Sequence, residues 1–116
     1  MLFIEYPPCS TCKKAKAWLD DHGRAYETRH IKEENPTYEE LKAWYRRSGL
    51  PLKKFFNTSG LLYKSLNLKD KLPTMSEEEQ LQLLASDGML VKRPLVVLED
   101  KVLTGFKEAE WKEALK

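Results

Sequence analysis

The chain has 116 residues, 41% hydrophobic and 33% charged, with twenty Lys and Arg against eighteen Asp and Glu. That size fits one domain spanning 1–116, able to bury roughly two-thirds of the surface its unfolded form exposes. Two cysteines exclude a disulfide-stapled mini-protein and a four-cysteine zinc site, and a formal +2 with interspersed signs is no polyanion-binding footprint.

Residues 2–6 form a short apolar run stopped by Pro7-Pro8 and read as a buried strand. Over residues 11–22, Cys12, Ala15, Trp18 and Leu19 recur at helical spacing, and Gly23 ends the helix. Residues 25–31 are a second, more polar strand. Thr37 to Glu40 is a capping box for a helix carrying Leu41, Trp44 and Tyr45 and ended by Gly49. A turn over 52–56, a loop over 57–60 and a short helix with Leu62, Tyr63 and Leu66 follow. Ser76 to Glu79 is a second capping box, for a helix with Leu81, Leu84 and Ala85 that stops at Asp87-Gly88. Residues 95–98 and 102–104 form a hairpin around Glu99-Asp100-Lys101. A last helix begins near Lys107 and carries Trp111 and Leu115. The order is β-α-β, helices, then β-β-α: an α/β fold with a helical insertion at roughly 37–88.

No apolar run approaches the ~18 residues that span a bilayer. The N-terminus has no basic stretch ahead of an apolar one, so no secretory signal is expected. A cytoplasmic protein is the expectation, with no membrane or direct nucleic-acid partner. In that compartment a close cysteine pair is more often catalytic or redox-sensing than structural.

Cys9-Ser10-Thr11-Cys12 falls at the turn from the first strand into the first helix. Thiolates, not thiols, attack sulfur and other electrophiles. The free N–H groups and dipole at a helix start favour negative charge on Cys9, and Lys13 and Lys14 add positive field. Cys12, one turn on, shares a face with Ala15 and Leu19 and should be less exposed. Cys9 then attacks and Cys12 resolves the mixed disulfide. Two competing readings are a pair of small buried hydrophobes and half a zinc site. The second needs two more ligands from His22 and His30, which read as surface residues, so no metal is expected. Arg93 precedes Pro94 at the start of a strand. Such a proline can adopt cis and form a rigid edge. The arginine either grips an anion or stabilises a thiolate, or is simply solvated.

Taken together, these residues resemble the ArsC/Spx family of thioredoxin-like proteins. The likeness runs through Tyr6-Pro7-Pro8-Cys9-Ser10-Thr11-Cys12-Lys13-Lys14-Ala15, Phe55-Phe56-Asn57-Thr58-Ser59-Gly60, Asp87-Gly88-Met89-Leu90, Lys92-Arg93-Pro94-Leu95 and the segment 102–106. It implies a thioredoxin-like fold with a cis Pro94 facing the cysteines. Arsenate reductases of the glutaredoxin-linked type use one cysteine, matched by Cys9, and three oxyanion-binding arginines. Arg93 matches one, while Asn57 and Lys107 stand near the places of the other two, and Cys12 is an addition. The Spx branch uses C-x-x-C as a redox switch on a regulator that binds the RNA polymerase α-subunit through its C-terminal domain. The chain looks most like a third group, arsenate-reductase-like proteins that carry C-x-x-C and the Phe55-Phe56-Asn57-Thr58-Ser59-Gly60 segment. The resemblance implies a thiol–disulfide oxidoreductase with Cys9, Cys12 and Arg93 at its centre and Lys13, Asn57, Pro94 and Lys107 around it. It implies no bound cofactor and a reductant that is a small thiol, such as glutathione or bacillithiol, or a thioredoxin or glutaredoxin. The alternative is the polymerase-binding regulator.

Overall fold

A computed structural model describes residues 1–115. Four strands form one sheet: β1 (Leu2–Glu5), β2 (Glu27–His30), β3 (Leu95–Val97) and β4 (Val102–Thr104). Their spatial order is β2-β1-β3-β4. β1 runs parallel to β2 and antiparallel to β3, and β3 runs antiparallel to β4. The crossover from β1 to β2 is helix α1 (Ser10–Asp21).

Alternation along the central strands divides the core in two. Phe3 and Val96, paired across the sheet, point to one face with Ala15, Trp18, Leu19, Trp111 and Leu115. That face is covered by α1 and by the terminal helix, Glu108–Ala114. Ile4, Leu95 and Val97 point the other way, into a larger cluster with Leu41, Trp44, Phe55, Leu84 and Leu90. Phe3, Ile4, Leu95 and Val96 are each 0% exposed, and full burial of such a side chain contributes about 1.5–3 kcal/mol.

The second face is covered by helices between β2 and β3. They are α2 (Tyr38–Ser48), α3 (Leu61–Ser65), α4 (Leu68–Lys71) and α5 (Glu77–Ser86), with α6 naming the terminal helix. Thr37 and Ser76 each close a full capping box with Glu40 and Glu79. Gly49 ends α2 in the left-handed region at φ +66°, where a side chain would be strained. Arg29 on β2 holds Glu40 bidentately at 2.6 and 2.8 Å, tying the sheet edge to the start of α2.

The structure departs from the sequence reading in places. β2 covers only Glu27–His30, and β1 and β3 end one residue sooner than the apolar runs. Helix α4 and the 3-10 turn Leu72–Thr74 were not anticipated. They are too short to show a periodicity, and α4 is entered through Asn67 at φ +54°. His30 is half-buried rather than on the surface, and its Nδ1 accepts from the Lys32 and Glu33 N–H groups. His22 is exposed and stacks on Trp18 with ring centroids 3.9 Å apart.

Candidate functional site

The strand directions bring four chain segments to one edge of the sheet. The parallel pair β1 and β2 both end there, leading to Cys9 and to Lys32. Antiparallel β3 begins there, just after Arg93-Pro94, and β4 ends there, leading to Gly105, Phe106 and Lys107. The result is an open cleft of about 740 Å³. Cys9, Thr11, Asn57, Met89, Arg93 and Phe106 are among its lining residues, with the basic groups Lys32, Lys92 and Lys107.

Cys9 is the N-cap of α1, and its backbone N–H donates to Tyr6 O at 2.8 Å. As a neutral side chain it makes no capping hydrogen bond. Its ionised form is nevertheless favoured. Partial burial is the largest single influence and pulls the pKa up. Four groups together outweigh it: the Cys12 N–H, the Cys12 thiol, the Thr11 N–H and the Arg93 guanidinium. The net displacement is below the ordinary thiol value.

Cys12 goes the opposite way. It is fully buried. Burial, the largest influence, pushes its thiol up to about 12, against a lowering contact with the Tyr6 backbone; the charge and hydrogen bond of Cys9 add to the rise. Both cysteines are free in this structure. One residue type thus occupies two environments on a single helical turn. The outer thiol is shifted toward its ionised form and the inner one toward its protonated form.

Arg93 is half-buried, with its guanidinium carbon 4.9 Å from the centroid of the Tyr6 ring. Its Nη1 is buried without a hydrogen-bond partner among the described residues. A buried, unsatisfied cationic donor beside a thiol is costly unless an anion arrives to accept from it. The Arg93–Pro94 bond is cis. Pro94 is buried, and its carbonyl accepts from Gly105 N–H at 2.8 Å, which fixes the spacing of the two loops at the cleft.

Asn57 is placed by main-chain bonds: its N–H donates to Leu90 O at 2.8 Å and its carbonyl accepts from Gly60 N–H at 3.0 Å. Lys92 N–H donates to Phe55 O at 2.8 Å, so the segment before the cis proline is stitched to the loop that carries Asn57. Lys107 is exposed at the start of α6 and lines the cleft. Of the residues singled out in the sequence, Cys9, Asn57, Arg93 and Lys107 line this cleft. Pro94 and Cys12 lie buried behind it. Lys13 is exposed outside its lining and is not among the groups that lower the Cys9 pKa. The motif reading missed Lys32 and Lys92. Lys92 adjoins Arg93 in sequence, which was the available signal; Lys32 arrives only because β1 and β2 are parallel.

A thiol of lowered pKa at a helix start, a second cysteine one turn on and a cis proline at the start of β3 lie here on a thioredoxin-like fold. Residues 4–114 match the ArsC family, and the chain belongs to that family. It is 59% identical to the uncharacterized protein YusI of Bacillus subtilis over 97% of this chain and 96% of that one. It is 33% identical to the regulatory protein MgsR of the same organism, over 95% of this chain and 86% of MgsR. The crystal structure of an ArsC-family-related protein from Bacteroides fragilis superposes with a TM-score of 0.94 at 62% identity, covering 97% of this chain and 94% of that chain.

Proposed function

We propose that this protein is a thiol–disulfide oxidoreductase of the arsenate-reductase-like type, with Cys9 as nucleophile and Cys12 as resolving thiol. The observation that carries the reading is the opposite displacement of the two thiol pKa values on one helical turn. In the first step the Cys9 thiolate attacks one sulfur of a substrate disulfide. A mixed disulfide forms, and the second sulfur leaves as a thiolate that takes a proton from solvent. Cys12 then loses its proton, attacks Cys9 Sγ and expels the remaining substrate sulfur as a thiol. The substrate gains two electrons and two protons, and the protein is left with a Cys9–Cys12 disulfide. A small thiol, a thioredoxin or a glutaredoxin reduces it.

Arsenate fits the same site as an oxyanion substrate. Cys9 would displace water from arsenic, and attack of Cys12 on Cys9 Sγ would leave the bond's electron pair on arsenic as arsenite. Arg93 is the guanidinium available to hold the oxyanion, with Asn57 and Lys107 as weaker polar contacts and Pro94 shaping the wall. Lys13 contributes positive potential from outside the cleft.

The experiment is turnover of a small disulfide and of arsenate with alternative thiol donors, on the wild type, Cys9→Ser and Cys12→Ser. Both variants lose multiple turnover, and Cys12→Ser accumulates the mixed disulfide, visible by mass. Inactivity of the wild type toward every disulfide, or full turnover by Cys12→Ser, overturns the reading.

The likeness to the regulatory protein MgsR favours one second reading, in which the Cys9–Cys12 disulfide is a switch on a regulator; its partner would then be the one the Spx resemblance implies, the C-terminal domain of the RNA polymerase α-subunit. Oxidant-dependent capture of that domain supports it; no capture in either redox state removes it.

A further inference from the structure

Lys92 and Lys107 line a second depression besides the cleft. It is a groove of about 430 Å³, walled also by Lys53, Lys54, Phe56 and Thr104, and no carboxylate lines it. Because the two lysines are common to both, the groove adjoins the cleft that holds Cys9. Among the described residues, none of the four lysines is ion-paired. Lys53, Lys54 and Lys107 are exposed and Lys92 is half-buried. In a chain with a formal charge of only +2, four unpaired cations from three separate segments form a local concentration of charge.

The groove also meets an open sheet edge. β4 is the outermost strand. Gly105 N–H donates to Pro94 O, and Leu98 N–H donates to Lys101 O, both across the β3 side. By the alternation of an antiparallel ladder, the main-chain groups of Val102 and Thr104 therefore face outward. Thr104 lines the groove, so an unpaired strand edge lies beside the lysines.

We propose that this groove docks an acidic, extended segment of polypeptide, which adds to the β4 edge and presents a neighbouring disulfide to Cys9. The proposal rests on the thiol–disulfide reading of the cleft. Strand addition supplies main-chain hydrogen bonds whatever the side chains, and the lysines select for carboxylates. Ammonium groups on flexible stems pair with carboxylates spread along a peptide without demanding one fixed geometry. A single-stranded nucleic acid would need aromatic faces to stack on. The aromatic residue of this groove, Phe56, is 1% exposed.

The test uses the full chain carrying Cys9→Ser, so that binding is read without turnover. A fluorescent glutamate-rich peptide is compared by anisotropy with a lysine-rich peptide and with an oligodeoxynucleotide of the same charge. The acidic peptide binds best, and adding Lys53→Glu with Lys54→Glu weakens it about tenfold or more, with steep salt dependence. Lys53→Gln with Lys54→Gln gives an intermediate loss and preserves the test should charge reversal disturb folding. The Thr104 amide resonance shifts on binding. Tighter binding of the oligonucleotide, an unmoved Thr104 amide, or a change under about twofold on charge reversal overturns the proposal. Reduction of a small uncharged disulfide by the wild type is measured in parallel. Its absence sinks the thiol–disulfide reading, whereas peptide binding reports on the groove alone.

Discussion

Cys9 and Cys12 sit one helical turn apart, and each makes the other less like itself. The Cys12 N–H and thiol help hold the Cys9 thiolate, while the charge on Cys9 helps keep the Cys12 proton in place. Alkylation by iodoacetamide should therefore modify Cys9 alone at neutral pH, with a rate that titrates below the usual thiol range. Cys12 should resist until strongly alkaline pH or unfolding. Cys12→Ala removes the side-chain donor to Cys9 while keeping the backbone N–H, and moves the Cys9 alkylation profile to higher pH. Equal labelling of both cysteines in the folded protein, followed by mass spectrometry of the peptides, would contradict this.

Arg93 contributes to the same balance through its contact with Cys9. Arg93→Gln removes the cation and should raise the Cys9 pKa. Arg93→Lys recovers part of the effect, since an ammonium supplies charge without the fork. Both variants should fold, because Nη1 has no partner to lose. The alkylation profile of each variant measures the shift directly, and an unmoved profile in Arg93→Gln removes Arg93 from the site.

Much of this site is readable in the chain, and the unreadable part has a physical origin. The run before Pro7, the two capping boxes and the apolar run over residues 95–98 are local signals, and local structure obeys them. The unequal cysteines are local as well, because a helix start and a helix face are three residues apart. Lys32 carries no such signal. It reaches the cleft through the parallel pairing of β1 with β2, and no pattern around residue 32 encodes that. Lys13 is the reverse case. Its closeness to Cys9 in sequence promised an influence, but Thr11 is the helix residue that lines the cleft, and Lys13, two positions on, is turned about 200° from it. The short helix α4 is formed by tertiary packing of Leu68, which is 2% exposed, rather than by any periodicity.

Glu40 predicts an acid-sensitive step in stability. The Arg29 guanidinium, the largest influence, holds its carboxyl down to about 2 against a usual 4.5, with help from the Thr37 backbone N–H and hydroxyl. The folded pKa lies below the unfolded one, so this contribution is complete above about pH 4.5 and is lost as pH falls toward 2. The Glu40 side chain is 34% exposed, so solvent screening reduces the contribution to roughly 1–2 kcal/mol. Urea midpoints between pH 7 and pH 3 should converge for the wild type and Glu40→Gln. Parallel curves for the two proteins would show that the pair contributes nothing.

Gly88 marks a close approach between the turn that follows α5 and the segment that follows β2. A Cβ built there would overlap the Ile31 carbonyl oxygen and lie 2.8 Å from Asn35 Oδ1. The first of these is backbone, immediately after β2, and it cannot turn aside as a side chain would. Gly88→Ala must therefore push the turn Gly88–Leu90 away from the sheet. That movement strains the Asn57–Leu90 and Lys92–Phe55 bonds that hold the cleft loops together. The expected cost is about 2–4 kcal/mol in the denaturant midpoint, at the upper end for overpacking because backbone has to yield. Loss of Cys9 selectivity in the alkylation assay should accompany it. A Gly88→Ala protein with an unchanged midpoint would show that this contact is looser than the structure places it.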